Sequence, residues 1–510
     1  MSGRFAQQPS LSRRRFLGAL GAVGIVSVAS VACQQAPAPS ATQPAASSST
    51  GGTSAAPAAA PTSASAASSS AAPTVAPKAA AAASSSGPVT VSFTTQGAKN
   101  ELQMFDNIFD SLEKRNPKIK VDRKYDTTLS WPKVIDELAS GTASDVMRTN
   151  DDDVYLLTTA GTLTTLDDYY KDLNRDDYYP LAWTSRCGPG GEISRAFVGT
   201  TPLVMFYNVD IFQKAGVKPP TDWDKDNWTM DDFETAMSKV SKKTGDRVDV
   251  YAWDAPSYWW QVGLWNDGVP WYTSDQLKAE VDTPAAVADM QKYQKWTKNG
   301  WAVPPGVSDT AQSTQLFNSG LLAMRFTDSS FDAQIKKSVN WDVAPIFKGS
   351  AQAGAFHNDR VFGIPSFSKV KDSAWEVAKW LLTQTDDGKD GGQYYFAQQR
   401  WGVPVLRKAA EGPVFNDPSR PPKHLPVYFQ GISHGWPIPE DNTMGEAFQV
   451  VWRTSGDMQN GKVSPDQFLK GAEALLNKAI QQTGWSKSKD VRGYRLPGVL
   501  KSSGAVPQKS

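Results

Sequence analysis

Acidic residues are absent from the first 87 positions, and cysteine occurs only twice in 510 residues, as Cys33 and Cys187. The two thiols lie in stretches of different character, which excludes a disulfide framework. Histidine is equally sparse: His357, His424 and His434 are scattered and lack zinc-like spacing, so no metal site is expected. A phosphate-cradling glycine motif is missing as well. Only Gln96-Gly97-Ala98 follows the first strand pattern, which disfavours a dinucleotide, and no cofactor is expected. The apolar run Leu17 to Ala32 is short for a membrane-spanning helix.

What is present divides unevenly along the chain. Five of the 53 basic residues (Arg4, Arg13, Arg14, Arg15, Lys78) fall in residues 1–87, leaving 48 against 52 acidic residues in the remainder. A mildly acidic body excludes general nucleic-acid binding, which rests on clustered Lys and Arg. Eighteen Trp residues are far above ordinary usage and call for a use.

The N-terminus reads as an address. Ser12-Arg13-Arg14-Arg15-Phe16-Leu17 before a short apolar run resembles a twin-arginine export signal, and Ser30-Val31-Ala32-Cys33 resembles a lipoprotein processing site. Residues 1–32 are therefore expected to be removed. Cys33 is expected to carry lipid that anchors the chain to the outer face of the cytoplasmic membrane, where two or three acyl chains bind far better than one. Residues 34–87 hold Ala, Ser, Pro, Thr, Gly and Gln with one Val and one Lys. Such a segment cannot bury enough apolar surface to offset its ordering entropy, so 33–87 reads as a disordered tether.

From Val89 the pattern is α/β. Val89 to Phe93 reads as a strand, and Leu102, Phe105, Ile108, Phe109 and Leu112 share one helical face that Asn116-Pro117 ends. Ile119, Val121 and Tyr125 alternate as a second strand. A short helix burying Trp131, Val134, Ile135 and Leu138 closes at Gly141, and Asp145-Val146-Met147 opens a third strand. A β-α-β-α-β run implies parallel strands with right-handed crossovers, and ligands lie beyond the carboxyl ends of such strands. Thr94 to Gly97, Tyr125 to Trp131 and Arg148 to Asp153 occupy that edge.

Further phrases follow in a recognisable order: Leu138-Ala139-Ser140-Gly141-Thr142-Ala143-Ser144-Asp145-Val146, Ala160-Gly161-Thr162-Leu163, Phe206-Tyr207-Asn208-Val209-Asp210-Ile211-Phe212, Ala215-Gly216-Val217, Phe317-Asn318-Ser319-Gly320 before Ala323-Met324, and Ala374-Trp375-Glu376-Val377-Ala378. Over about residues 88–485 the chain resembles the family 1 extracellular solute-binding proteins, relatives of maltose-binding protein. The resemblance implies a two-lobed, hinged periplasmic-binding-protein-like fold of type II, with a ligand cleft between lobes. Lobe one would be 88–202 plus 355–412 and lobe two 203–354 plus 413–510. The implied role is the substrate-binding component of an ABC importer, a monomer that closes on a carbohydrate and passes it to permease subunits in the membrane.

A sugar offers apolar C–H faces to aromatic rings and a hydroxyl rim to polar side chains. The densest aromatic stretch runs from Tyr251 to Tyr272. Tyr258, Trp259 and Trp260 cannot all face one core, since adjacent side chains diverge on any regular element. These three and Trp265 are candidate ligand residues. The resemblance adds Thr95 and Gln96 after the first strand, Trp131 on the short helix, Thr149 and Asp152 after the third strand, and Thr201 at the hinge. It further adds Asp328 and Ser329, Trp401 in a loop from lobe one, and Trp436. Relatives that bind maltose carry Trp where Ser330 stands, so Trp259 or Trp260 would supply the stack here.

Other signals weigh less. Asp222, Asp224 and Asp226 begin like a calcium loop, but Asn227 replaces the central Gly and Phe233 the bidentate Glu. Thr229 is instead expected to cap a helix. Gly431-Ile432-Ser433-His434-Gly435 has the letters of a nucleophile turn, but Pro437 and Pro439 follow where a helix is needed. Two further classes remain open: a binder of a polyamine, peptide or glycerol phosphate, and a carbohydrate-active hydrolase, for which no paired-carboxylate motif is apparent.

Overall fold

The computed structural model describes residues 87–482, apart from 127–130, 150–156, 158–159, 180, 185–191, 256–259, 270–277, 306–309, 355, 435 and 438–444. Its strands, in chain order, are β1 (Val89–Thr95), β2 (Ile119–Tyr125), β3 (Val146–Arg148), β4 (Arg195–Asn208), β5 (Lys242–Thr244), β6 (Arg247–Trp253), β7 (Leu322–Asp328), β8 (Trp341–Ala344), β9 (Phe356–Gly363), β10 (Val403–Pro404) and β11 (Trp436–Pro437).

The opening unit forms for the reasons its sequence suggests. The helix Lys99–Arg115 buries Met104, Phe105, Ile108, Phe109 and Leu112, one stripe at helical spacing, while Leu102 is only half-buried. Glu101 accepts from the Ala98 N–H at the first turn, and Lys114 and Arg115 face the negative end of the helix dipole. The next helix, Trp131–Ser140, ends at Gly141, whose φ of 77° is the left-handed geometry that glycine adopts without penalty. β1 pairs in parallel with β2 and with β3, giving the order β2-β1-β3. Asp145 fixes the entry to β3: it accepts from the Ser92 N–H (2.9 Å), the Ser92 hydroxyl (2.7 Å) and the Ser368 hydroxyl (2.7 Å).

β4 organises the rest. All fourteen of its residues are buried. Its first half, Arg195 to Pro202, pairs antiparallel with β9, and β10 pairs with Gly199 and Thr200. From Leu203 onward it pairs instead with β7 and β8. The partners change beside Pro202, which has no N–H to give to a ladder. Two hydrophobic clusters divide accordingly. One joins β1–β3, residues 196–198 of β4, β9 and the helices Lys99–Arg115 and Lys371–Leu382. The other joins β4 from Leu203 onward, β6–β8 and the helices Met230–Val240, Pro284–Lys298, Pro426–His434 and Pro465–Gln482. The first buries ten aromatic rings and the second eighteen, and several of the Trp residues are spent in this packing: Trp223, Trp253, Trp296 and Trp375 are each 2% exposed or less.

The helix Met230–Val240 starts as its sequence suggests. Thr229 and Asp232 form a reciprocal capping box, Thr229 Oγ1 accepting from the Asp232 N–H at 3.1 Å. Among the described residues no helix is long and apolar enough to cross a membrane.

Candidate functional site

The carboxyl ends of β1, β3 and β7 and the centres of β4 and β9 carry a connected set of polar and aromatic side chains. Thr95, fully buried at the end of β1, donates to the Gln96 carbonyl at 3.3 Å. That carbonyl also accepts from Arg148 Nη1 at 3.4 Å, at the end of β3. The Arg148 guanidinium lies over the Trp401 ring, 5.6 Å from its centroid, and that of Arg360 on β9 lies closer, at 4.7 Å. Arg360 Nε donates to the Trp401 carbonyl at 3.3 Å, and Arg360 Nη2 stands 3.9 Å from Asp328 Oδ1 at the end of β7. Asp328 is aimed by its own turn, its Oδ1 accepting from the Ser330 N–H at 2.8 Å and from the Ser330 hydroxyl. Gln96, Trp401 and Asp328 therefore meet through two arginines.

Trp401 is 3% exposed and packs against Phe105 (5.3 Å, edge-on) and Phe396 (5.0 Å). With its ring engaged by phenyl groups and guanidinium, Trp401 presents no open face to a sugar. Its indole Nε1–H is buried and finds no acceptor among the described residues, and the same holds for the fully buried Ser329 hydroxyl. Leaving such a donor unpaired costs roughly 1–3 kcal/mol. The approach of this loop to β4 requires two glycines: a Cβ on Gly402 would lie 3.0 Å from the Thr200 carbonyl oxygen, and one on Gly199 would lie 2.9 Å from that of Val403. The loop thereby reaches the buried Thr201, 3.1 Å from that same Gly402 position.

Arg400 precedes Trp401 in the left-handed region (φ 48°, ψ 39°), unusual for a residue with a side chain. The turn sends the two side chains apart. Arg400, fully buried, donates to the carbonyls of Phe415 (3.0 Å) and Asp417 (3.3 Å) and to Asp332 Oδ2 (3.2 Å). Burial raises the pKa of the Asp332 carboxyl, and the opposing pull of Arg400 does not restore it.

Thr149 is buried beside this set. Its N–H donates to the Val361 carbonyl (3.3 Å), and its hydroxyl accepts from Arg195 of β4 at 3.4 Å. Trp265 packs in the cluster around the second half of β4, 8% exposed, with Gln352 Nε2 donating to its carbonyl at 2.7 Å. Trp131 and Trp260 each begin a helix and Trp436 lies in β11; of these three only the backbone is described. Asp152, Tyr258, Trp259, Cys33 and Cys187 lie outside the described residues. Gly431 to His434 form the last turn of a helix, with the His434 ring stacked on Trp223 at 5.5 Å, which is not the strand-to-helix turn a nucleophilic serine requires.

Sequence reasoning missed Arg360, Arg195 and Arg400. The available signal was a charged residue inside an apolar strand, as in Arg360-Val361-Phe362, which demands a buried partner.

The sequence pattern of the bacterial extracellular solute-binding protein family matches residues 93–386, more than half of the chain. The chain belongs to this family. Its members bind solutes outside the cytoplasm and are not enzymes. The fold is likewise shared with solved binding proteins, and the α/β architecture is that of the two-lobed relatives of maltose-binding protein. An ABC substrate-binding protein from Listeria monocytogenes in complex with cycloalternan is 19% identical, with a TM-score of 0.68 over 77% of this chain and 99% of that one. The GacH receptor of Streptomyces glaucescens, solved unliganded and with acarbose, is 21% identical, with a TM-score of 0.65 over 77% and 98%. Maltose-bound MalE3 of T. maritima is 17% identical, with a TM-score of 0.64 over 77% and 99%.

Proposed function

We propose that this solute-binding protein captures a carbohydrate, an oligosaccharide above all, by closing two lobes over it and delivers it to the permease of an ABC importer. The lobes would be 88–202 with 355–412, and 203–354 with 413–510, moving about the point where β4 changes partners beside Pro202. Ligand drives closure only by its differential affinity for the closed state. The chain would act as a monomer, tethered through residues 33–87 and anchored by lipid on Cys33.

The observation that carries the reading is the joint placement of Gln96 and Asp328 at strand ends, Arg360 and Thr201 at strand centres and Trp401 in the loop between them. Carboxylate and guanidinium side by side suit hydroxyl groups, which both donate and accept. The bound cycloalternan, acarbose and maltose in the similar structures favour the same solute class. Tyr258, Trp259 and Trp260 remain the proposed stacking residues.

Thermal-shift screening of a library of oligosaccharides, polyamines, peptides and glycerol phosphate tests the reading, since a ligand specific to the folded state raises Tm. A neutral oligosaccharide should raise it and shrink the radius of gyration in solution scattering. A rise with polyamine or peptide alone would refute the carbohydrate assignment.

A further inference from the structure

Arg360 is absent from the residues that the family resemblance suggests, yet it joins Trp401 to Asp328. It is 7% exposed and fixed at one end by its Nε–H to the Trp401 carbonyl. At the other end its nearest anionic partner, Asp328 Oδ1, stands 3.9 Å away, beyond hydrogen-bond reach. An oxygen about 2.8 Å from each group fits that gap, accepting from Arg360 and donating to Asp328. Trp401, whose ring lies against Arg360, and Ser329, which follows Asp328 in the chain, each have a buried polar atom, Nε1 and Oγ, without a partner among the described residues. The corner thus holds surplus donors around one carboxylate.

We propose that Arg360 is a specificity-determining residue of the solute site, and that it selects an uncharged sugar hydroxyl bridging Arg360 and Asp328. This rests on the carbohydrate reading above. The placement of Asp328 decides against an acidic group in this gap. Asp328 neutralises Arg360 across the gap and repels a carboxylate or phosphate entering it, whereas a hydroxyl serves both neighbours. Trp401 contributes by its edge, its ring being covered by Arg360, Phe105 and Phe396.

The test uses the mature chain and four proteins: wild type, Arg360→Gln, Arg360→Lys and Trp401→Phe. Each is titrated calorimetrically with neutral trisaccharides (malto-, cello- and galacto-series) and with trigalacturonate, and each is melted without sugar. The wild type should bind a neutral trisaccharide at least ten-fold more tightly than the acidic one. Arg360→Gln should weaken that binding at least ten-fold while Tm shifts by no more than about 2 °C, a split that a purely structural arginine would not give. Arg360→Lys, which keeps the charge beside Asp328, should recover part of the loss. Trp401→Phe should weaken neutral-sugar binding by loss of the indole N–H, while its Tm falls only by what trimming a packed indole to a phenyl ring costs.

Equal affinity of wild type and Arg360→Gln for the same neutral sugar overturns the role of Arg360 and leaves the carbohydrate reading standing. So does preference for trigalacturonate. Unchanged affinity of Trp401→Phe for the neutral sugar overturns the role of the indole N–H in this subsite. A wild type that ignores every sugar in the panel overturns the carbohydrate reading itself, and the inference falls with it.

Discussion

The rim of one core and the interior of the other treat carboxylates in opposite ways. Around β1–β3, acidic groups sit at the rim and are held ionised. Burial pushes Glu113 up, but the Lys120 ammonium, the Val121 N–H and Arg123 together bring it below its ordinary value. Asp390 is likewise lowered, with Ser111, Arg115 and the Gly391 N–H outweighing its burial. Around the second half of β4, three carboxylates lie inside and are pushed up instead. Burial takes Asp254 to about 6 despite Arg325, and takes Asp289 to about 7 with repulsion from Asp267 adding to it. Asp332 moves the same way. Rim carboxylates stabilise by charge; interior ones are tolerated at a cost and hold specific geometry. These rim and interior groups should therefore respond to pH with opposite sign.

The sharpest way to break this contrast is to unpair an interior charge. Arg325 Nε lies 3.0 Å from Asp254 Oδ2, the two side chains being 3% and 0% exposed, and its guanidinium covers the Phe331 ring at 4.5 Å. Arg325→Met keeps most of the volume and abandons the carboxylate. It should cost about 3–5 kcal/mol in urea unfolding at pH 7. The loss should shrink at pH 5, below the raised pKa, where Asp254 is neutral. A loss under about 1 kcal/mol at pH 7 would mean that the pair contributes nothing.

Asp289 gives the next effect. Its pKa is higher folded than unfolded, so the protonated form is the one the fold prefers. Stability is full below about pH 4, falls as pH rises from there through about 7, and is flat above. Asp289→Asn removes the slope. At pH 8 it should be more stable than wild type by about 2 kcal/mol, and at pH 4 about equal. Equal stability at both values would show that Asp289 ionises freely.

Asp390→Asn should show the opposite sign at smaller size. A depressed pKa gives stability that is present above the ordinary value and lost as pH falls through the folded one. Asp390 accepts from Ser111 Oγ (2.5 Å), Arg115 Nε (2.8 Å) and the Gly391 N–H (2.8 Å). Because Arg115 is half-exposed, the expected cost is about 1 kcal/mol at pH 7, and it is lost as pH falls through the lowered folded value.

The contrast also marks what the sequence made legible. The β-α-β-α-β unit and its helix ends were readable because they rest on local devices: Asn116 before Pro117, glycine at 141, and Thr229 three residues before Asp232. The centre of the site was not. Trp401 could be named as a candidate, but its indole is fixed by Arg360, 41 residues earlier, and by Phe105, almost 300 residues earlier. No periodicity reports such contacts. That β4 runs as one strand through both pairing sets was equally hidden, since all its positions are buried and no alternation marks its faces.

The smallest effect concerns backbone strain. Among the described residues two non-glycine positions have positive φ, Ala255 at 39° and Arg400 at 48°. One follows the buried Asp254 and the other precedes Trp401, so each strained turn adjoins a buried polar or aromatic group. They differ in what holds them. Arg400 is clamped by its own side chain, and replacing it with glycine would relieve strain while losing four hydrogen bonds. Ala255, 1% exposed, has only a methyl group to lose. Relief of a left-handed alanine, worth about 1–2 kcal/mol, is offset in part by the entropy of glycine, about 0.5–1 kcal/mol. Ala255→Gly should therefore raise Tm by a degree or two. If instead it lowers Tm by several degrees, the Ala255 methyl is a packing group of the second core, and its positive φ is a by-product of that packing, carrying no strain that glycine can release.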